Sequence, residues 1–188
     1  MQGAIGAAID RASGHSTRHG AAVASNAVER ANDHLSEGST GQALTTISQA
    51  SALFPAAEQV VRTHLQIARA LGDINEWRIA LNRLDELVPE DASIHFQRSV
   101  FANQGGEPFT YRRSLNKADD LFHKRALDGD VSGLAGLLRT RRRAGDQSSV
   151  ESLLRVAVAE THRRPGATLI DEAATTLIAT GDTMGRQP

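Results

Sequence analysis

The sequence predicts an all-α solenoid of antiparallel helix pairs, and three observations predict it. First, a glycine followed by a small polar or acidic residue recurs along the 188 residues as Gly38-Ser39, Gly72-Asp73, Gly106-Glu107, Gly145-Asp146 and Gly181-Asp182, at gaps of 34, 34, 39 and 36 residues. A period of this size marks stacked supersecondary units rather than one globular core. Second, apolar residues hold a fixed phase to each glycine. Five residues after it come Ala43, Trp77, Tyr111 and Val150; nine after it Ile47, Leu81, Leu115 and Leu154; twelve after it Ala50, Leu84, Ala118 and Ala157. Those offsets put one side chain per turn on one helical face. Third, proline stands seventeen residues after the first two glycines, at Pro55 and Pro89; the later repeats carry His123 and His162 there, with Pro165 just beyond. A glycine between two apolar-periodic segments ends one helix, and a proline past the second ends the other.

Taken in order, residues 1–23 are rich in Gly, Ala, Ser and His and read as a tail or irregular capping segment. The repeat domain is expected over 24–182, with units at 24–57, 58–91, 92–130 and 131–166 and a cap at 167–182; residues 183–188 form a C-terminal tail. The residue seven before each glycine is Ala31, Leu65, Ser99, Leu138 or Ala174, the expected crossing point with the following helix. Ser39 with Gln42, and Asp73 with Glu76, read as capping boxes. Asp146 is an N-cap candidate, and Pro108 follows Glu107 at a first helical position. The interval from Gly106 to Gly145 has five residues more than its predecessors. They are placed in 125–130, where Asp128-Gly129-Asp130 reads as a turn and helix start, lengthening a helix or a loop. The cap reads as one amphipathic helix with Ile170, Ala173, Ala174 and Leu177 on its apolar stripe and Asp171, Glu172 and Thr175 on its polar side.

These residues resemble the tetratricopeptide repeat (TPR) over most of the chain. The best stretch runs from Leu71-Gly72-Asp73 through Leu81, Leu84 and Pro89, and the first unit matches with Ala31, Gly38, Ala43, Ile47, Ala50 and Pro55. Departures are visible. The aromatic usual four residues before the turn glycine is His34, Ala68, Ala102 or Arg141, and the small residue usual at the helix crossing is Trp77 or Tyr111. The resemblance implies a right-handed superhelix of about four repeats with a C-terminal capping helix.

Composition fits an elongated helical domain. Apolar residues make up 40% of the chain but aromatics only 4%, so small side chains set close helix packing. The net charge of −1 hides an asymmetry: residues 1–94 carry 7 basic and 11 acidic groups, residues 95–188 carry 14 and 11. With no cysteine, disulfides, zinc ribbons and thiol catalysis are excluded. Nothing reaches the roughly 18 apolar residues of a membrane span, and Asp10 and Arg11 interrupt the N-terminal apolar run, so no signal peptide is read and cytoplasmic residence follows by default.

Catalytic signatures are missing from the sequence. It holds no phosphate loop, dinucleotide fingerprint or His-Glu-x-x-His, and no nucleophile elbow. Asp119-Asp120 and Asp171-Glu172 read as solvated faces, because helical neighbours point about 100° apart. His15 and His19, four apart, lack a third metal ligand nearby, and His64, His95 and His123 read as packing or surface residues. The expectation is no enzyme, no cofactor and no metal.

By the resemblance, the first helix of each repeat lines a concave groove. The stripes are Val28, Asn32 and Leu35; Arg62, Gln66 and Arg69; Phe96, Val100 and Asn103; and Ala135, Arg139 and Arg142. An apolar centre at Phe96 and Val100 between arginines suits a peptide with an apolar anchor and acidic neighbours, since arginine can grip a carboxylate with two parallel hydrogen bonds. The favoured function is therefore a non-catalytic protein-interaction scaffold or adaptor, bacterial in style, whose partner-binding residues are Arg62, Gln66, Arg69, Phe96, Val100, Asn103, Arg139 and Arg142. The clamp that some such repeats use for a C-terminal carboxylate is not expected, because Val28, Asn32, Thr63, Ser93 and Gln97 match it only at the asparagine. Two alternatives are an accessory module of a bacterial sulfotransferase or glycosyltransferase system, and nucleic-acid binding through Arg139–Arg143. That segment is short and without aromatics, which disfavours the last.

Overall fold

The computed structural model describes residues 20–163 and 166–184; His15, His19 and the N-terminal tail lie outside the described residues. Every regular element among the described residues is a helix. They are α1 (residues 20–36), α2 (Thr40–Leu53), α3 (Glu58–Leu71), α4 (Ile74–Leu87), α5 (Ala92–Gln104), α6 (Pro108–Leu127), α7 (Val131–Ala144), α8 (Gln147–Arg163) and α9 (Ala167–Met184). Consecutive helices pack on one another within two compact units that divide between Pro89 and Glu90.

The turns explain the periodicity. Gly38, Gly72, Gly106, Gly129 and Gly145 all have φ between 69° and 81°, a region that costs other residues strain. At each, the residue after the glycine donates its N–H to a carbonyl five residues back: Ser39 to His34, Asp73 to Ala68, Glu107 to Ala102, Asp130 to Arg125 and Asp146 to Arg141. This is the 6→1 bond of a Schellman turn, which satisfies carbonyls that a helix end leaves open. The helix breaks expected at Gly38, Gly72, Gly106 and Gly145 are all present. The five added residues fall in α6, which has 20 residues where α2 and α4 have 14. A fifth Schellman turn at Gly129 then replaces the proline connector.

In the first unit the core is Ala24, Ala31, Ala43, Ile47, Ala50, Val60 and Ile67, with Phe54 packed against it. Ala31 and Ala43 are fully buried, so α1 and α2 meet through two small side chains. Trp77, Ala80, Leu81 and Leu84 form the buried face of α4. The Arg83 guanidinium donates to the Ser51 carbonyl and to Ser51 Oγ (2.9 Å), closing the C-terminal end of α2.

In the second unit, one cluster joins Ala92 and Phe96 of α5, Leu115, Ala118 and Phe122 of α6, and Leu137 of α7. Another joins Leu134, Ala135 and Leu138 of α7, Ala157 of α8, and Leu169 and Ala173 of α9. Gly133 and Gly136 make the α6–α7 contact possible. A Cβ on Gly136 would stand 2.2 Å from the Phe122 ring, and one on Gly133 would stand 2.5 Å from the Ala126 nitrogen. Tyr111 Oη donates to the Arg143 carbonyl at 3.0 Å, closing the last turn of α7.

The caps follow the sequence in part. Asp73 accepts from the N–H groups of Asn75 and Glu76, and Asp146 from that of Ser149. Pro108 takes the first position of α6. Asp91 and Asp130 cap α5 and α7 through Ser93 and Ser132. Ser39 makes no side-chain cap, contrary to its reading as a capping box. Glu76 does not close its box: the Asp73 N–H is donated to the Ala68 carbonyl, and the Glu76 carboxylate bonds His64.

The expected apolar stripe of α9 needs correction. Its buried residues include Leu169, Glu172, Ala173 and Thr176, while Ile170, Ala174 and Leu177 are exposed. Periodicity identified an apolar face, but α9 turns a different face to α7 and α8. Glu172 is accordingly buried rather than solvated.

Candidate interaction surface

The first-helix residues singled out by sequence are described within each unit. In the first, Gln66 and Arg69 are exposed in the second half of α3. Arg62 is half-buried and its Nε donates to Glu58 Oε1 at 2.7 Å, one turn away. Beneath this stripe His64 is buried at 1% exposure, with Nε2 2.7 Å from Glu76 Oε2 of α4. Its pKa is lowered chiefly by burial, against the opposing pull of Glu76. His64 thus joins α3 to α4, which agrees with its reading as a packing residue.

In the second unit, Val100 is half-buried and Asn103 exposed on α5. Phe96 is only 9% exposed and belongs to the core, so it is not an open anchor for a ligand. Arg139 covers it, with Cζ 5.6 Å from the ring centroid, in the range of a cation–π contact. Arg139 Nε also meets Glu172 Oε2 at 2.9 Å, and Arg142 Nη2 meets Glu172 Oε1 at 2.9 Å. Arg142 donates from its other nitrogen to Thr176 Oγ1 at 3.3 Å. Two arginines of α7 therefore converge on one carboxylate of α9 whose side chain is 7% exposed. Removing one partner of so buried a charge would leave the others uncompensated.

Arg141 is committed on the other side of α7. Its guanidinium meets Asp119 Oδ2 at 2.5 Å and Asp146 Oδ2 at 3.2 Å. Thr140 Oγ1 donates to Asp119 Oδ1 at 2.7 Å. Asp119 is 15% exposed, so it is a partly buried structural acid rather than part of a solvated face. The Asp146 carboxyl is held down at about 2 by hydrogen bonds from the Ser149 side chain and backbone, with help from Ser148 and Arg141. The Arg139–Arg143 segment is thus largely an internal ion-pair hub.

Glu172, Asp119, Gly133 and Gly136 were not picked out as structural determinants from sequence. Two glycines three apart inside an apolar helix could have signalled close helix approach. The acids gave no such signal, because their arginine partners lie 22 to 33 residues away in sequence. On the α6–α8 side two adjoining cavities of about 370 and 320 Å³ share His123, Leu137 and Leu153. No group of three or more His, Cys, Asp or Glu among the described residues could hold a metal ion. No helix among them is long and apolar enough to cross a membrane.

The architecture defines a helical-repeat protein. It is similar to the crystal structure of PilW, a widely conserved type IV pilus biogenesis factor, with a TM-score of 0.59 and 16% identity, over 85% of this chain and 70% of that one. At that identity the likeness concerns the fold. No protein-family model matches the sequence, and no curated protein does.

Proposed function

We propose that the protein is a non-catalytic interaction scaffold that holds a peptide segment of another protein on its first-helix faces. The observation that carries this reading is the repeat architecture itself, with polar and cationic side chains left exposed on those helices: Gln66 and Arg69 on α3, and Asn103 on α5. A helical repeat offers side chains at regular intervals along a surface, which suits an extended or helical ligand. PilW, with the same type of fold, is a biogenesis factor by description, and that supports a role in assembly over one in chemistry.

The ligand chemistry is narrower than the sequence suggested. Arg139 and Arg142 share one carboxylate already, so this pair offers a single net positive charge to a ligand. Arg62 is paired with Glu58, and Phe96 is covered. Within the first unit, exposed Arg69 therefore suits an isolated acidic residue of a peptide, and within the second unit the Arg139–Arg142 pair does so independently. The internal pairing of Arg139, Arg141 and Arg142 counts against a phosphate-rich ligand, since nucleic-acid affinity rests on free cations.

The test is a pull-down from the source cells with the wild-type chain and a Gln66→Ala/Arg69→Glu variant, followed by mass spectrometry. A partner retained by the wild type and depleted from the variant is the expected result. Partners bound equally by both would remove the α3 face from the site.

A further inference from the structure

α9 sits on the face of α7 that carries Arg139 and Arg142, and it meets these arginines as a ligand would. Leu169, Glu172, Ala173 and Thr176 follow i, i+3, i+4 and i+7, so they form one stripe of α9, and all four are buried. Leu169 and Ala173 join Leu134, Ala135 and Leu138 of α7 in one apolar cluster. Glu172 takes Arg139 and Arg142 at 2.9 Å each, and Thr176 Oγ1 accepts from Arg142. The sequence of the first-helix stripe called for an apolar anchor with an acidic neighbour, and α9 supplies both from within the chain. Its hold is limited. Leu169 is the one large apolar side chain that α9 buries among its described residues, while Ile170, Leu177 and Ile178 stay 45%, 51% and 69% exposed. A buried ion pair contributes little net stability, because desolvation offsets most of the attraction. Arg139 and Arg142 are 36% and 30% exposed, so water can reach both once the carboxylate withdraws.

We propose that this face of α7 is a binding site for a helical segment presenting a carboxylate beside aliphatic side chains, and that α9 is its occupant in cis, displaced when such a segment of another protein takes its place. Elements that open below global unfolding are those with few buried apolar contacts. α9 is such an element, whereas α6 sets Leu115, Ala118 and Phe122 into the core. A competing segment needs an acid for the arginine pair, an aliphatic residue one turn before it and a small residue next to it, as Leu169, Glu172 and Ala173 provide. Because α9 is tethered, it competes at a high effective concentration. A separate segment therefore binds weakly until the hold of α9 is loosened. That another protein supplies the segment rests on the scaffold function proposed above; the release of α9 does not.

The experiment is hydrogen–deuterium exchange read by mass spectrometry on the full chain, wild type and Glu172→Gln, joined to a binding assay. The probe is a fluorescent synthetic peptide of residues 167–184. In the wild type, α9 amides should exchange at least about tenfold faster than those of α6 and α7. Glu172→Gln should speed α9 at least about tenfold more while α5 and α6 keep their protection. The peptide should bind the variant chain at least about tenfold more tightly than the wild type, and a peptide that itself carries Glu172→Gln should lose this advantage. Exchange of α9 in step with α7 in the wild type would overturn the proposal. So would equal binding of the peptide by both chains, a peptide indifferent to its own Glu172→Gln change, or loss of protection throughout α5–α7 in the variant. Exchange and peptide binding need no cellular partner, so a pull-down without partners would count against the scaffold reading alone.

Discussion

Single residues fix the closest contacts in each unit. Gly136 faces the Phe122 ring so closely that any Cβ must displace it. Overpacking a closed helix contact costs about 1–3 kcal/mol. Gly136→Ala should therefore lower the urea midpoint, and adding Phe122→Leu should recover part of the loss, because the two sites share one space. Additive losses in the double variant would show that the ring is not what resists the methyl group. His64 makes a pH-dependent contribution. Its folded pKa lies below the ordinary value of 6.5, so between the two the unfolded chain binds more protons than the folded one. Stability from this group is complete above about pH 6.5 and is lost as pH falls toward the folded pKa. His64→Gln should flatten that acid-side slope in urea titrations between pH 5 and 7.5, and an unchanged slope would assign the proton uptake to another group.

Helix ends set the register, and this is why so much of the repeat was legible in the sequence. A left-handed glycine fixes where the next helix starts, so residues at offsets five, nine and twelve could be assigned to the packing face by counting. Ten of those twelve side chains are buried, and the other two, Tyr111 and Leu154, are half-buried. What counting does not supply is the neighbour. The inward stripe placed Phe96 in a groove, yet α6 and α7 close over that position in the second unit. The α9 stripe was apolar as read, but periodicity says nothing of whether a helix lies against it. Serine at a cap position has a similar limit, since Ser39 and Asp73 look alike in sequence while only Asp73 bonds the next turn. Asp130→Ala and Asp91→Ala should each lower stability by about 1 kcal/mol, whereas Ser39→Ala should have almost no effect. Equal losses at all three in chemical denaturation would mean that Ser39 also caps α2.

At the scale of the whole molecule, the function depends on which cations remain for a ligand once the internal pairs are formed. Arg139, Arg141 and Arg142 hold α7 to its neighbours through Glu172, Asp119 and Asp146. Reversing Arg142 would set a second carboxylate against buried Glu172, so its variants would report folding more than binding. Arg69 is different, being exposed in the last turn of α3. Arg69→Glu should leave the melting curve nearly unchanged, since an exposed charge contributes little to stability. Against a partner peptide identified by the pull-down, it should slow association several-fold and reduce the salt dependence of the on-rate, with dissociation changed less. Asn103→Glu on α5 tests the second unit separately, and should act in the same direction where the peptide sets an acidic residue over that helix. Thr175→Glu on α9 serves as the control for a charge added elsewhere. A partner whose on-rate is blind to Arg69→Glu and to Asn103→Glu, but falls with Thr175→Glu, would exclude each of those helix faces in turn and place the binding site on α9.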